Sequence, residues 1–101
     1  MPEHPLSTLR KIDPDFMKEV QLTEDLVYKD GALPRKLKLL IAMAFDAADG
    51  AAGGVTALAR MAIQAGATKE EITEVLRVAS HFSGIGTLYI ASIALKEIFP
   101  D

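Results

Sequence analysis

Two stretches of this sequence carry almost no polar face. Leu39, Leu40, Ile41, Ala42, Met43, Ala44 and Phe45 follow one another inside the segment Leu37 to Ala48, and from Thr87 the chain is nearly wholly apolar until Lys96 and Glu97. A helix that is apolar all round is buried on more than one side. Yet the chain has 101 residues, the size of one small domain, for which a compact fold has a radius of gyration of about 13 Å. Small domains leave much of their surface wet. Leaving whole faces of Leu, Ile and Phe exposed forgoes about 25 cal/mol for each Å² that burial would remove from water. Burial against another copy of the chain is the simpler solution, because obligate interfaces resemble a domain core cut in half. The competing solution is that the N-terminal helix covers those faces within one chain.

No stretch alternates apolar and polar residues over a strand's length, so the expected class is all-α, with about five helices. Asp13-Pro14 starts the first helix, with Asp as N-cap and Pro in the first turn, and Asp30-Gly31 ends it. Residues 1–12 are expected to be an N-terminal arm, flexible or in contact with another subunit, of a single domain spanning 1–101. Leu33-Pro34 opens the second helix, whose first turns carry Arg35, Lys36 and Lys38. Cations are unusual there, because they suit the opposite end of a helix. Asp46 to Gly54 is rich in Ala and Gly and reads as a helix end, a tight turn and the next helix start. The third helix is expected from about Val55 to Ala65, closed by Gly66. Thr68-Lys69-Glu70-Glu71 is a capping box and the sharpest boundary in the chain. The fourth helix runs from there towards Ser80-His81-Phe82, and the last covers about Thr87 to Ile98.

Composition excludes several functions. There is no cysteine, which removes disulfides, thiolate metal sites and thiol catalysis. The formal net charge of -3 argues against nucleic acid as a partner. The start, Met1-Pro2-Glu3-His4-Pro5, has neither the basic nor the apolar segment of a signal peptide. The uncharged run Phe82 to Leu95 is shorter than the roughly 20 residues of a spanning helix. The expected location is the cytoplasm, with no membrane partner.

The central block carries a resemblance. Leu33-Pro34-Arg35-Lys36-Leu37-Lys38-Leu39-Leu40-Ile41-Ala42-Met43-Ala44, followed by Ala62-Ile63-Gln64-Ala65-Gly66-Ala67-Thr68-Lys69-Glu70-Glu71-Ile72-Thr73-Glu74-Val75-Leu76, resembles the carboxymuconolactone decarboxylase family. That family includes the alkylhydroperoxidase D-like proteins, and the resemblance covers roughly residues 30 to 98. It implies an all-helical subunit and a homo-oligomer, a trimer or a hexamer. The family's redox branch carries Cys-x-x-Cys-x-x-x-His and a glutamate on the preceding helix. Counted back from Gly66, those positions fall on Ala51, Gly54 and Leu58, with the glutamate at Leu39. The thiol chemistry is therefore denied. The decarboxylase branch works by proton transfer on a lactone acid, and it normally has polar or histidine residues in the helix that here reads Thr56-Ala57-Leu58-Ala59-Arg60-Met61.

Three residues remain as candidates for acid-base work. His81 is the only histidine besides His4, and histidine titrates nearest neutrality. Asp46 ends an apolar helix and would act as a base, and Arg60 would bind a carboxylate. The plainer readings are a helix-capping or contact histidine, a turn aspartate, and a salt-bridged arginine. Asp46 and Asp49 with His81 make only a weak metal signal, and neither a metal nor a cofactor is expected. Two functions follow. One is a non-redox small-molecule enzyme of the lactone decarboxylase type, built on His81, Asp46 and Arg60. The other is a catalytically silent member that binds a small acidic or apolar ligand or serves as an assembly module. A small greasy pocket at Leu39, Ala51, Gly54 and Leu58 would favour the second.

Overall fold

A computed structural model describes residues 5–100. Among these residues there are six α-helices and no strand. They are α1 (Ser7–Ile12), α2 (Pro14–Val27), α3 (Arg35–Ala48), α4 (Ala52–Gln64), α5 (Lys69–Ser83) and α6 (Gly86–Leu95).

The sixth helix is α1, which lies in the segment expected to be an arm; Met1 to His4 of that segment lie outside the described residues. Asp13 N–H still bonds Leu9 O at 2.7 Å, but Pro14 has no N–H to continue the ladder. The chain therefore turns and restarts as α2. The end of α2 also differs from expectation. Tyr28 is its C-cap, donating its N–H to Glu24 O, and Gly31 lies three residues beyond with an ordinary negative φ. Asp30 serves the next helix instead: its Oδ1 accepts from the Arg35 N–H at 2.6 Å, in place of an N-cap side chain.

Two helix ends close in the same way. After α3 the Ala51 N–H bonds Asp46 O at 2.8 Å, and Gly50 takes a φ of 80°. After α4 the Ala67 N–H bonds Ala62 O at 2.9 Å, and Gly66 takes a φ of 105°. Both are Schellman closures with the left-handed residue at C′. The first closure finishes the turn so early that α4 starts at Ala52, three residues before Val55, and takes Gly53 and Gly54 into its first turn. The capping box forms as expected. Thr68 Oγ1 accepts from the Glu71 N–H at 3.1 Å, and Glu71 Oε1 accepts from the Thr68 N–H at 2.9 Å. α6 ends at Leu95 rather than near Ile98, because Ile98 N–H tightens onto Leu95 O at 3.0 Å.

Helices α3, α4, α5 and α6 pack on one another, with α3 touching the other three. The core holds Leu39 and Met43 of α3, Val55 and Ala59 of α4, Ile72 and Leu76 of α5, and Ala91 and Ala94 of α6. Alanine on α4 and α6 lets those helices approach closely. Thr56 Oγ1 exploits that approach and donates to Ala94 O at 2.9 Å, satisfying a carbonyl near the end of α6. Helices α1 and α2 pack on each other. No helix among the described residues is long and apolar enough to cross a membrane.

Candidate functional site

Helix α3 carries a ridge formed by Ile41 and Phe45, with a concave surface on each side of it. Both residues are exposed despite their size. One turn apart, they follow from the unbroken apolar run, which leaves α3 too few polar positions to face water.

On the α5 side lies an apolar trough, bounded by Ala44 and Ala48 of α3 and by Val75, Val78, Ala79 and Phe82 of α5. On the α2 side lies a cleft of about 320 Å³ lined by Val27, Tyr28, Lys38, Ile41, Ala42 and Phe45, at the lower end of the range typical of small-molecule sites. Its walls are apolar and its rim is cationic. Lys38 Nζ donates to Lys29 O at 2.6 Å, which fixes the side chain and leaves two of its three donors for a ligand. The Arg35 guanidinium lies over the Tyr28 ring, 5.9 Å from its centroid, a cation–π contact.

Asp46 adjoins this region. It is half-buried on the last turn of α3, and its carboxylate packs against Gly54 in the first turn of α4. Burial raises its pKa above the ordinary carboxyl value, and the neighbouring Asp49 raises it further. The Tyr28 hydroxyl is also pushed up, first by burial and then by the charges of Glu24 and Asp46, against the opposing pull of Arg35. Asp46 is thus close enough to Tyr28 for its charge to disfavour the phenolate.

The other two candidates are held elsewhere. Arg60 pairs with Glu97, at 3.6 Å, beyond the end of α6, and both side chains are exposed. His81 is exposed and packs edge-on to Phe82, with ring centroids 5.4 Å apart. No hydrogen bond, ion pair or ring contact joins any two of Asp46, Arg60 and His81, and none of them lines the cleft or the trough. The positions aligned with the redox motif do not make a pocket wall in either. Leu39 is fully buried in the core, Leu58 is half-buried against it, Ala51 is the N-cap of α4, and the space beside Gly54 holds Asp46. Among the described residues no group of His, Asp or Glu is arranged to hold a metal ion.

Tyr28, Lys38 and Arg35 were not among the sequence candidates. One signal did point to Arg35 and Lys38, though not to Tyr28: with Lys36 they make three cations in the first turns of α3, where the helix dipole disfavours them.

The sequence model of the carboxymuconolactone decarboxylase family matches residues 14–97. The chain belongs to that family. Among solved structures it is similar to the crystal structure of apo-lpg0406, a carboxymuconolactone decarboxylase family protein from Legionella pneumophila. The TM-score is 0.85 at 34% sequence identity, over 95% of this chain and 88% of that one. No curated protein matches. This family member contains no cysteine, so it has no thiol to serve the peroxidase chemistry of the redox branch.

Proposed function

We propose that this family member binds a small acid with an apolar body in the cleft between the end of α2 and α3, and that Asp46 exchanges a proton with it. The observation that carries this reading is the pairing of apolar walls with the half-committed Lys38 ammonium at the cleft's rim. Val27, Ile41, Ala42 and Phe45 would cover the ligand's carbon skeleton, and Lys38 would take its carboxylate.

Loss of carbon dioxide from a lactone acid leaves an electron pair on carbon, and that carbon must receive a proton. A carboxyl group whose pKa is raised by burial holds a proton more readily than an ordinary one. Asp46 is such a group; its carboxylate lies against Gly54 rather than in the cleft wall, so this reading requires the side chain to turn towards the ligand from the position next to Phe45. This reading gives Lys38 the acid-binding role considered for Arg60 and leaves His81 outside one subunit's site. The subunit would work within a homo-oligomer, the trimer or hexamer implied by the family resemblance.

The separation of Asp46, Arg60 and His81 favours a second reading, a silent member that binds such an acid without converting it. Calorimetric titration and turnover assays with 4-carboxymuconolactone and related unsaturated acids separate the two. The first reading expects binding weakened about tenfold or more by Lys38→Met, since hydrogen bonds to charged groups contribute about 1.5–3 kcal/mol. It also expects turnover that Asp46→Asn abolishes while binding persists. Binding without turnover moves the protein to the silent reading. Indifference of binding to Lys38→Met overturns the assignment of the cleft.

A further inference from the structure

The α1–α2 hairpin is poorly covered by its own chain. Met17 is the only residue of the two helices that is buried, and α2 packs along α1 rather than along the core helices. Ile12, Phe16, Leu22 and Leu26 are left between 62% and 72% exposed. Ile12 and Phe16 at the start of the hairpin, and Leu22 and Leu26 one turn apart further along α2, thus form apolar surface that the chain itself leaves largely uncovered.

The trough between α3 and α5 has the complementary defect. Phe45, Val78 and Phe82 on its walls are 68%, 63% and 84% exposed, and no charged side chain lines it.

The hairpin cannot fill the trough of its own chain without breaking its tether. Tyr28 packs against the core beneath Arg35, Asp30 caps α3, and Lys38 holds the Lys29 carbonyl. Together these contacts fasten the α2–α3 connection on the cleft side of α3, across the Ile41–Phe45 ridge from the trough.

The surface area indicates what fills it. A compact monomer of 10.9 kDa exposes about 5,600 Å², whereas this chain exposes 7066 Å². The radius of gyration of 14.2 Å likewise exceeds the value of about 13 Å for a compact chain of this length. The excess of about 1,500 Å² per chain is in the range that an obligate homo-oligomer buries on each partner. We infer that the α1–α2 hairpin of one copy lies in the α3–α5 trough of a second copy, an amphipathic helix seated in an apolar groove. The inference rests on the self-association proposed above and says which surfaces make it. In that arrangement the second copy also covers the outer side of Phe45, a wall of the ligand cleft, so that the cleft is completed by the partner.

The absence of native cysteine makes the test direct. F16C and F82C are prepared separately, mixed, and treated with a short bis-maleimide. The mass of the untreated protein is read by native mass spectrometry. The expected result is an oligomer, with cross-linked dimers containing one chain of each kind, formed far more in the mixture than in either variant alone. F16E and F82E, both at exposed positions, are each expected to raise the concentration needed for assembly at least tenfold while the circular dichroism stays helical. A monomer at all concentrations overturns the self-association reading and this inference with it. An oligomer whose mixture gives no hetero-cross-link, and whose assembly ignores F16E and F82E, overturns only the hairpin-in-trough contact.

Discussion

The carboxylate of Asp46 occupies the space that a Cβ on Gly54 would need. A Schellman turn at Gly50 brings the last turn of α3 against the first turn of α4, and the missing side chain at Gly54 leaves room for a charged group there. Gly54 is required by this approach and not by its backbone angles, since its φ is not positive.

Gly54→Ala therefore displaces the Asp46 carboxylate and is expected to destabilise the protein by about 1 kcal/mol, the low end of an overpacking cost, because the group displaced is a side-chain end and alanine is the better helix former. Adding Asp46→Ala should recover most of that loss, because the clash is with this one side chain. A double-mutant cycle by urea denaturation measures the coupling. Additive losses would show that the glycine is needed for another reason.

Asp46 also has a pH signature. Its pKa is raised in the folded state, so the folded chain holds that proton more tightly than the unfolded chain does. Its charged form costs stability above the raised pKa, and the cost is relieved as pH falls through that pKa towards the ordinary value of 3.8. Asp46→Asn should be more stable than the parent near neutrality, because it removes a charge that burial and Asp49 disfavour. Thermal melts from neutral to acid pH should show the gain shrinking to nothing.

Glu71 behaves oppositely. The Thr68 N–H bonded to its carboxylate lowers its pKa, and Lys36, at 3.0 Å, lowers it further. It therefore contributes stability that is complete above its ordinary value of 4.5 and lost as pH falls through the lowered one. Glu71→Gln keeps an acceptor for Thr68 but should remove this acid-dependent loss from the stability profile. Thr68→Ala removes the other half of the box and is expected to cost about 1 kcal/mol near neutrality.

Thr56 tests the seam between α4 and α6. Thr56→Val preserves shape but removes the donor to Ala94 O in a buried place. The expected loss is about 1–3 kcal/mol, the cost of leaving a buried acceptor unmet. Thr56→Ser, which keeps the hydroxyl, should lose less. Equal losses from the two substitutions would mean that the methyl group, and not the hydrogen bond, holds the seam.

Local chemistry was legible in the sequence at several boundaries that depend on neighbours in the chain, though not at the end of α2, where Asp30 caps α3 instead. The box at Thr68–Glu71, the helix-closing Gly66, the turn between Asp46 and Gly54 and the proline start of α2 are all found where such residues predict them. The family resemblance read from residues 33–44 and 62–76 was likewise available before any coordinates, because it is carried by order along the chain. The absence of thiol chemistry needed only a count of cysteine.

The site was less legible because it is a matter of distance across elements. Nothing in the order of residues says that Asp46 will rest on Gly54, that Arg60 will find Glu97, or that Tyr28 and Lys38 will share a cleft. The helical state of α1, within the segment expected to be an arm, was not legible for a related reason: it is six residues long, too short for periodicity to reveal, and is defined by its hydrogen bonds and its packing on α2. Sequence by itself determined the helical class, the capping box at Thr68, the closure at Gly66 and the excess of apolar surface, since these follow from residue types and their spacing. Only the tertiary structure decided where that excess lies, as an uncovered hairpin and an empty trough, because a face is exposed or buried according to which helices cross it.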